Sequence, residues 1–193
     1  MTDINERIRD LDTGVDRVKK AAQKGPRANV STDPALLDLA ELLFFAYRDF
    51  TREPDKILDE FGFGRAHHRV LHFVNRRPGM RVADLLEILK ITKQSLGRVL
   101  KQLVDDGFIA QEAGKSDRRE RLLHPTAHGR ELANRLAEPQ LERVAHALNA
   151  SGRKAQSSIE MFLYQMISEA DRSQVERLLM SKDRQHEKRE ERE

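Results

Sequence analysis

Apolar residues near the start of the chain recur at alternating steps of four and three: Ile4, Ile8, Leu11, Val15, Val18 and Ala22. That spacing draws a seam along one side of a helix, weakened at Gly14 and ended by Gly25-Pro26. After Asp33-Pro34, a helix start, residues 35–50 place Leu36, Leu39, Leu43, Ala46, Tyr47 and Phe50 on one wide stripe. Three short helical patterns follow. RAHHRVLHFVNRR stops at Pro78-Gly79, RVADLLEILK carries Leu85, Leu86 and Leu89, and KQSLGRVLKQLVDD begins after Thr92, a good N-cap, and closes at Gly107. Two helices joined by a tight turn predict a helix-turn-helix.

Beyond Gly107 the period changes to that of strands. FIAQEA and RERLLH flank a Gly-Lys-Ser-Asp loop and predict a hairpin, a wing directly after the helix pair. From Thr126 the pattern is helical again, with Pro139 marking a kink or a fresh helix start and Ser151-Gly152 a break. Ile159, Phe162, Leu163, Met166 and Ile167 form a further stripe, and a last helix opening at Ser168-Glu169 is expected to turn Val175, Leu178 and Leu179 inward. The expected organisation is an N-terminal extension, partly helical or disordered (1–33), a dimerisation helix (34–63), a winged helix-turn-helix (64–126), C-terminal dimerisation helices (127–181) and a charged tail (182–193). The fold class is therefore mainly α, with one small β-hairpin.

Composition supports a charge-rich helical protein: of 193 residues, 38% are hydrophobic and 35% charged, with two Tyr and no Trp. No apolar run approaches a membrane span and MTDINERIRDLD has no secretory pattern, so a cytoplasmic location without membrane contact is expected. The absence of Cys excludes disulfides, Cys-ligated zinc, thiol catalysis and thiol-based oxidant sensing. Phosphate-loop, G-x-S-x-G and H-E-x-x-H patterns are also missing, which argues against an enzyme; no cofactor is expected. The net charge is only +3, but residues 65–125 hold thirteen Lys and Arg against seven Asp and Glu, so positive charge is concentrated mid-chain, where a nucleic-acid surface would need it.

The helix after Thr92 sharpens that expectation. Leu96, Val99, Leu100 and Leu103 fall on one side, while Gln94, Gly97, Arg98 and Lys101 fall on the other, with Lys93 and Ser95 in the first turn. Gln and Arg bond bidentately to adenine and guanine edges, Ser reaches bases or phosphates, and a glycine lets a helix lie close to DNA. In the hairpin, Lys115, Arg118, Arg119 and Arg121 concentrate four cations within seven residues, with Asp117 placed to orient a guanidinium.

These motifs together, over residues 44–132, resemble the MarR family of winged-helix transcription regulators. The likeness rests on ITKQSLGRVLKQLVDDGFI as recognition helix, on DRRERLLHPTAHG as wing and return, and on the long helices at both ends. It implies a homodimeric regulator, a repressor or an activator, with interlocked terminal helices, bound to a pseudo-palindromic stretch of double-stranded DNA, and often a small ligand held between the dimer helices and the DNA-binding lobe. The first thirty residues exceed the usual family start, and Gly97 stands where many members carry a polar residue. Phe44, Phe45, Tyr47, Arg48, His68 and His72 could line a pocket for a small aromatic or anionic effector, although helical core is the expected role of the phenylalanines. His68 and His72, one helical turn apart, also leave open a zinc-responsive regulator, although no third ligand is evident. A dimeric scaffold without DNA binding is the remaining alternative.

Overall fold

A computed structural model describes residues 33–114, 117, 119–152 and 155–180. The seam of residues 4–22, the wing residues Lys115 and Arg118, and the charged tail lie outside the described residues. The described residues divide into two compact units, the first ending at His146 and the second beginning at Ala147.

In the first unit, helix α1 (Pro34–Asp59) begins where Asp33 Oδ1 accepts the Ala35 N–H at 3.0 Å, and Pro34 occupies a position whose missing N–H costs nothing. Pro54 sits deep inside the helix and cannot donate to the Phe50 carbonyl, yet the helix runs on. The Gln140 side chain donates to that carbonyl instead, at 3.2 Å, and ties α1 to the helix beginning at Ala127. Only Thr51, Pro54 and Leu58 of α1 are buried. The phenylalanines are not core in the single chain: Phe44 is 73% and Phe45 54% exposed, because nothing within this unit covers the N-terminal half of α1.

Helix α2 (Arg65–Arg76) ends ahead of Pro78-Gly79, where Gly79 takes a φ of +87°. The turn leads into strand β1 (Met80–Arg81), helix α3 (Val82–Leu89) and helix α4 (Lys93–Asp105). Thr92 caps α4 by accepting the Ser95 N–H at 3.1 Å. At its other end Gly107, with φ +77°, donates to the Val104 carbonyl and Phe108 donates to that of Leu103, at 3.1 and 2.8 Å. This is a Schellman ending, sealed by buried Leu103 and Phe108.

Strands β2 (Ile109–Ala113) and β3 (Arg121–Pro125) pair antiparallel, with Gln111 opposite Leu123, and form the predicted wing. Strand β1 adds to the other edge of β3, Met80 opposite Leu123, giving the order β1-β3-β2. Two residues are too few to show a strand period, so β1 left no pattern in the sequence. Leu71, Val74, Leu85, Leu96, Leu100 and Leu103 are buried at the centre, with Leu132 and Leu136 of the next helix. That helix, α5 (Ala127–Ser151), is continuous through Pro139.

In the second unit, α6 (Ala155–Gln165) and α7 (Glu169–Met180) form a hairpin. Arg172 closes it, donating to the Gln165 and Ile167 carbonyls at 3.0 and 3.2 Å, while Tyr164 donates to Glu176. The expectation that Leu179 turns inward is not met: it is 49% exposed, while Val175 and Leu178 are half-buried. Two short helices offer each other one narrow face, and no residue of α6 is buried within this unit. Among the described residues, no helix is long and apolar enough to cross a membrane.

Candidate nucleic-acid interface

Helix α4 is held from behind by its buried stripe of Leu96, Val99, Leu100 and Leu103. Lys93, Gln94, Ser95, Gly97, Arg98 and Lys101 are all exposed. A Cβ built on Gly97 would meet nothing within 4 Å, so no packing inside the protein demands a glycine there. The cations differ in readiness. Among the described residues no hydrogen bond or ion pair engages Arg98, whereas Lys101 is paired with Asp105, which raises its pKa. Ser95 accepts from the Thr92 hydroxyl at 2.9 Å and keeps its own proton for an outside acceptor.

The wing is braced at its base. Asp117 Oδ1 accepts the Arg119 backbone N–H at 2.8 Å, so this carboxylate supports the loop main chain. Gly114 donates to the Glu120 carbonyl and Glu120 to the Asp117 carbonyl, both at 3.1 Å. Arg119 and Arg121 are exposed. Sequence reading missed Arg81, which forms a fork on Asp84, Nη2 to Oδ1 at 2.6 Å, and reaches Glu120 with Nη1 at 3.3 Å. It also missed how the wing returns to the body. Thr126 donates to the Gly107 carbonyl at 2.7 Å and accepts the Gly129 N–H at 3.0 Å. Gly129 packs so tightly that a Cβ would overlap the Phe108 carbonyl oxygen, well inside the 3.0 Å that real Cβ contacts keep. The glycine of HPTAHG, in the first turn of a helix that disfavours glycine, was the available signal.

The suggested effector residues occupy α1 and α2. Arg48 pairs with Asp49 at 3.0 Å and lies 5.1 Å from the centre of the Phe45 ring. Arg65 is pinned to Asp55 at 2.8 Å with the Tyr47 ring 5.6 Å away. His68 and His72 are half-buried, and burial lowers both imidazole pKa values. Asp55 opposes the shift at His68; at His72 the charges of Arg76 and Arg77 add to it, and the pKa falls to about 4. Among the described residues no set of three or more His, Cys, Asp or Glu side chains is placed to hold a metal ion, so His68 and His72 gain no third ligand and the zinc reading is not favoured.

A helix pair whose second member presents an exposed polar face over a buried apolar stripe, followed at once by a basic two-stranded wing, defines a winged helix-turn-helix of the DNA-reading kind. The comparisons agree. A model of the MarR family matches residues 61–120. The chain is 45% identical over 147 residues to the HTH-type transcriptional regulator PetP of Rhodobacter capsulatus, covering 76% of this chain and 89% of that protein. A crystal structure of MarR shares the fold at TM-score 0.55 and 21% identity, over 79% of this chain and 99% of that one. The structure of NadR in complex with 4-hydroxyphenylacetate does so at 0.56 and 20%, over 74% and 94%. The chain belongs to the MarR family of transcriptional regulators, a class that is not enzymatic.

Proposed function

We propose that the chain acts as a homodimer that places one α4 in each of two successive major grooves of a pseudo-palindromic operator, with the wings against the flanking DNA. The observation that carries this reading is the outward face of α4, where Gln94, Ser95 and Arg98 stand exposed over a fully buried apolar stripe. In this reading Arg98 and Gln94 contact base edges, Lys93, Ser95 and Lys101 contact phosphates or adjacent bases, and Lys115, Arg118, Arg119 and Arg121 serve the wing. Residues 64–126 make the DNA-binding lobe, while 34–63 and 127–181 pair two copies.

Support for pairing comes from apolar surface left uncovered. Leu39, Leu42, Leu43, Phe44 and Tyr47 on α1 are each 41% or more exposed, as are Phe162, Leu163 and Met166 of the second unit. A monomer rarely leaves so many large apolar side chains exposed along single helices. Effector control is the finer part of the reading. Phe45, Arg48, His68 and His72 combine aromatic surface, cationic charge and neutral imidazole donors, a chemistry suited to a small aromatic anion such as the 4-hydroxyphenylacetate in the NadR structure.

Mobility shift on DNA from upstream of the chain's own gene, with sedimentation equilibrium alongside, tests this directly. The expected results are a retarded complex abolished by joint replacement of Gln94 and Arg98 with Ala, and a species of twice 22.3 kDa. A monomer that binds no duplex would overturn the proposal.

A further inference from the structure

An ion pair between Arg81 and Glu120 joins the hairpin loop to the helix-turn-helix body. Arg81 stands on β1 immediately before α3 and uses Nε and Nη2 on the Asp84 carboxylate, at 3.1 and 2.6 Å. Its backbone N–H donates to the same carboxylate at 3.1 Å, so Asp84 both caps α3 and fixes the guanidinium. The remaining Nη1 is thereby aimed at Glu120 Oε1, 3.3 Å away and thirty-nine positions along the chain. Glu120 is itself the closing residue of the loop, because its carbonyl and N–H hold Gly114 and Asp117. Backbone pairing from β1 stops at Leu122, so the contact between Arg81 and Glu120 reaches past the end of that pairing into the loop.

We propose that Arg81 and Glu120 are positioning residues that set the angle of the wing relative to α4, and with it the preference for operator over unrelated DNA. The proposal rests on the DNA-binding reading above. Its chemical oddity supports it: a carboxylate in the most basic part of the chain repels phosphates, so as a mere surface group its removal would strengthen DNA binding. The pair is roughly half exposed, with side-chain exposures of 51% and 36%, and such pairs add little to stability. Its value lies in geometry, since the guanidinium fork joins two carboxylates at once and an ammonium does not reproduce that planar arrangement.

Fluorescence anisotropy on operator and scrambled duplexes, with thermal melts of the same full-length samples, tests this. Glu120→Gln is expected to weaken operator binding by about fivefold while scrambled DNA is bound equally well or more tightly, with an unchanged melt. Arg81→Lys keeps the charge and should lose the same preference. The double variant should be no worse than either single, because the two act through one contact. Glu112→Gln, which removes a carboxylate from the other strand of the hairpin, should leave the preference intact. Equal tightening on both duplexes by Glu120→Gln, additive losses in the double variant, or a fall of several degrees in the melt shared by the variants would each overturn the proposal. Wild-type protein that binds no duplex would overturn the DNA-binding reading and this inference together. Wild-type binding with variants of unchanged preference would overturn this inference alone.

Discussion

Replacing Gly97 with Ala should move stability and DNA affinity in opposite directions. Glycine in an exposed helix interior costs about 0.8–1 kcal/mol relative to alanine, and beyond the backbone of its own helix the new methyl would meet nothing within 4 Å. The variant should therefore be more stable by close to that amount, with a midpoint raised by about 2–4 °C for a chain of this length. On the operator the methyl lies on the face shared with Gln94, Arg98 and Lys101. If that face packs into the groove, the methyl must displace a base edge, a sugar or an ordered water. Overpacking of this kind costs about 1–3 kcal/mol, which corresponds to roughly 5- to 150-fold in Kd for each subunit. Urea denaturation gives the first number and anisotropy titration on the operator the second. A more stable variant with unchanged operator affinity would show that α4 does not approach DNA closely at Gly97, and the placement of its reading face would have to be abandoned.

Other substitutions probe separate links. Gly129→Ala would force a methyl into the Phe108 carbonyl and should destabilise the fold by about 1–3 kcal/mol or more, seen as a lowered melting midpoint; an unchanged midpoint would refute the tight return from wing to α5. Arg98→Ala should cost about 1–3 kcal/mol on the operator and relax preference at one position per half-site, whereas Lys101→Ala should cost less, because Lys101 is already engaged by Asp105. Equal losses in titrations of the two would contradict that ranking. His68 and His72 are held below the ordinary 6.5 by burial, so the unfolded chain binds protons that the folded chain refuses. The stability they contribute is complete above pH 6.5 and drains as pH falls below it, for His72 down to about pH 4, at roughly 1 kcal/mol per pH unit at most for a half-buried imidazole. Denaturant titrations across that range should show the slope, and His72→Gln should flatten it.

The sequence carried the winged helix-turn-helix because its signals are local. Thr92, Gly107 and the four apolar residues of α4 each specify their own cap or face, and the two halves of the hairpin announce themselves by a change of period. The face of α4 was legible for the same reason: once the buried stripe is fixed, the opposite residues follow from helical geometry. Features that depend on distant partners were not legible. Nothing near Pro54 announces that Gln140 serves the carbonyl it orphans, and nothing near Arg81 points to Glu120. The apolar stripe of α1 was read correctly as a stripe, but a stripe does not say whether it meets its own chain or another, and Phe44 and Phe45 stand exposed in the single chain. Asp117 stood out for its place in a basic loop, but its bond to the Arg119 amide has no signature beyond a carboxylate two residues before that amide.

Hydroxyl-radical footprinting of the wild-type protein on its operator, compared with Arg98→Ala, tests the central claim most directly. Two protected segments related by a dyad, with centres about 10 base pairs apart or a multiple of that, are expected, and they should fade in the variant while weak unspecific protection persists. A single protected segment without a dyad, or a footprint unchanged by Arg98→Ala, would contradict a dimer that reads DNA through α4.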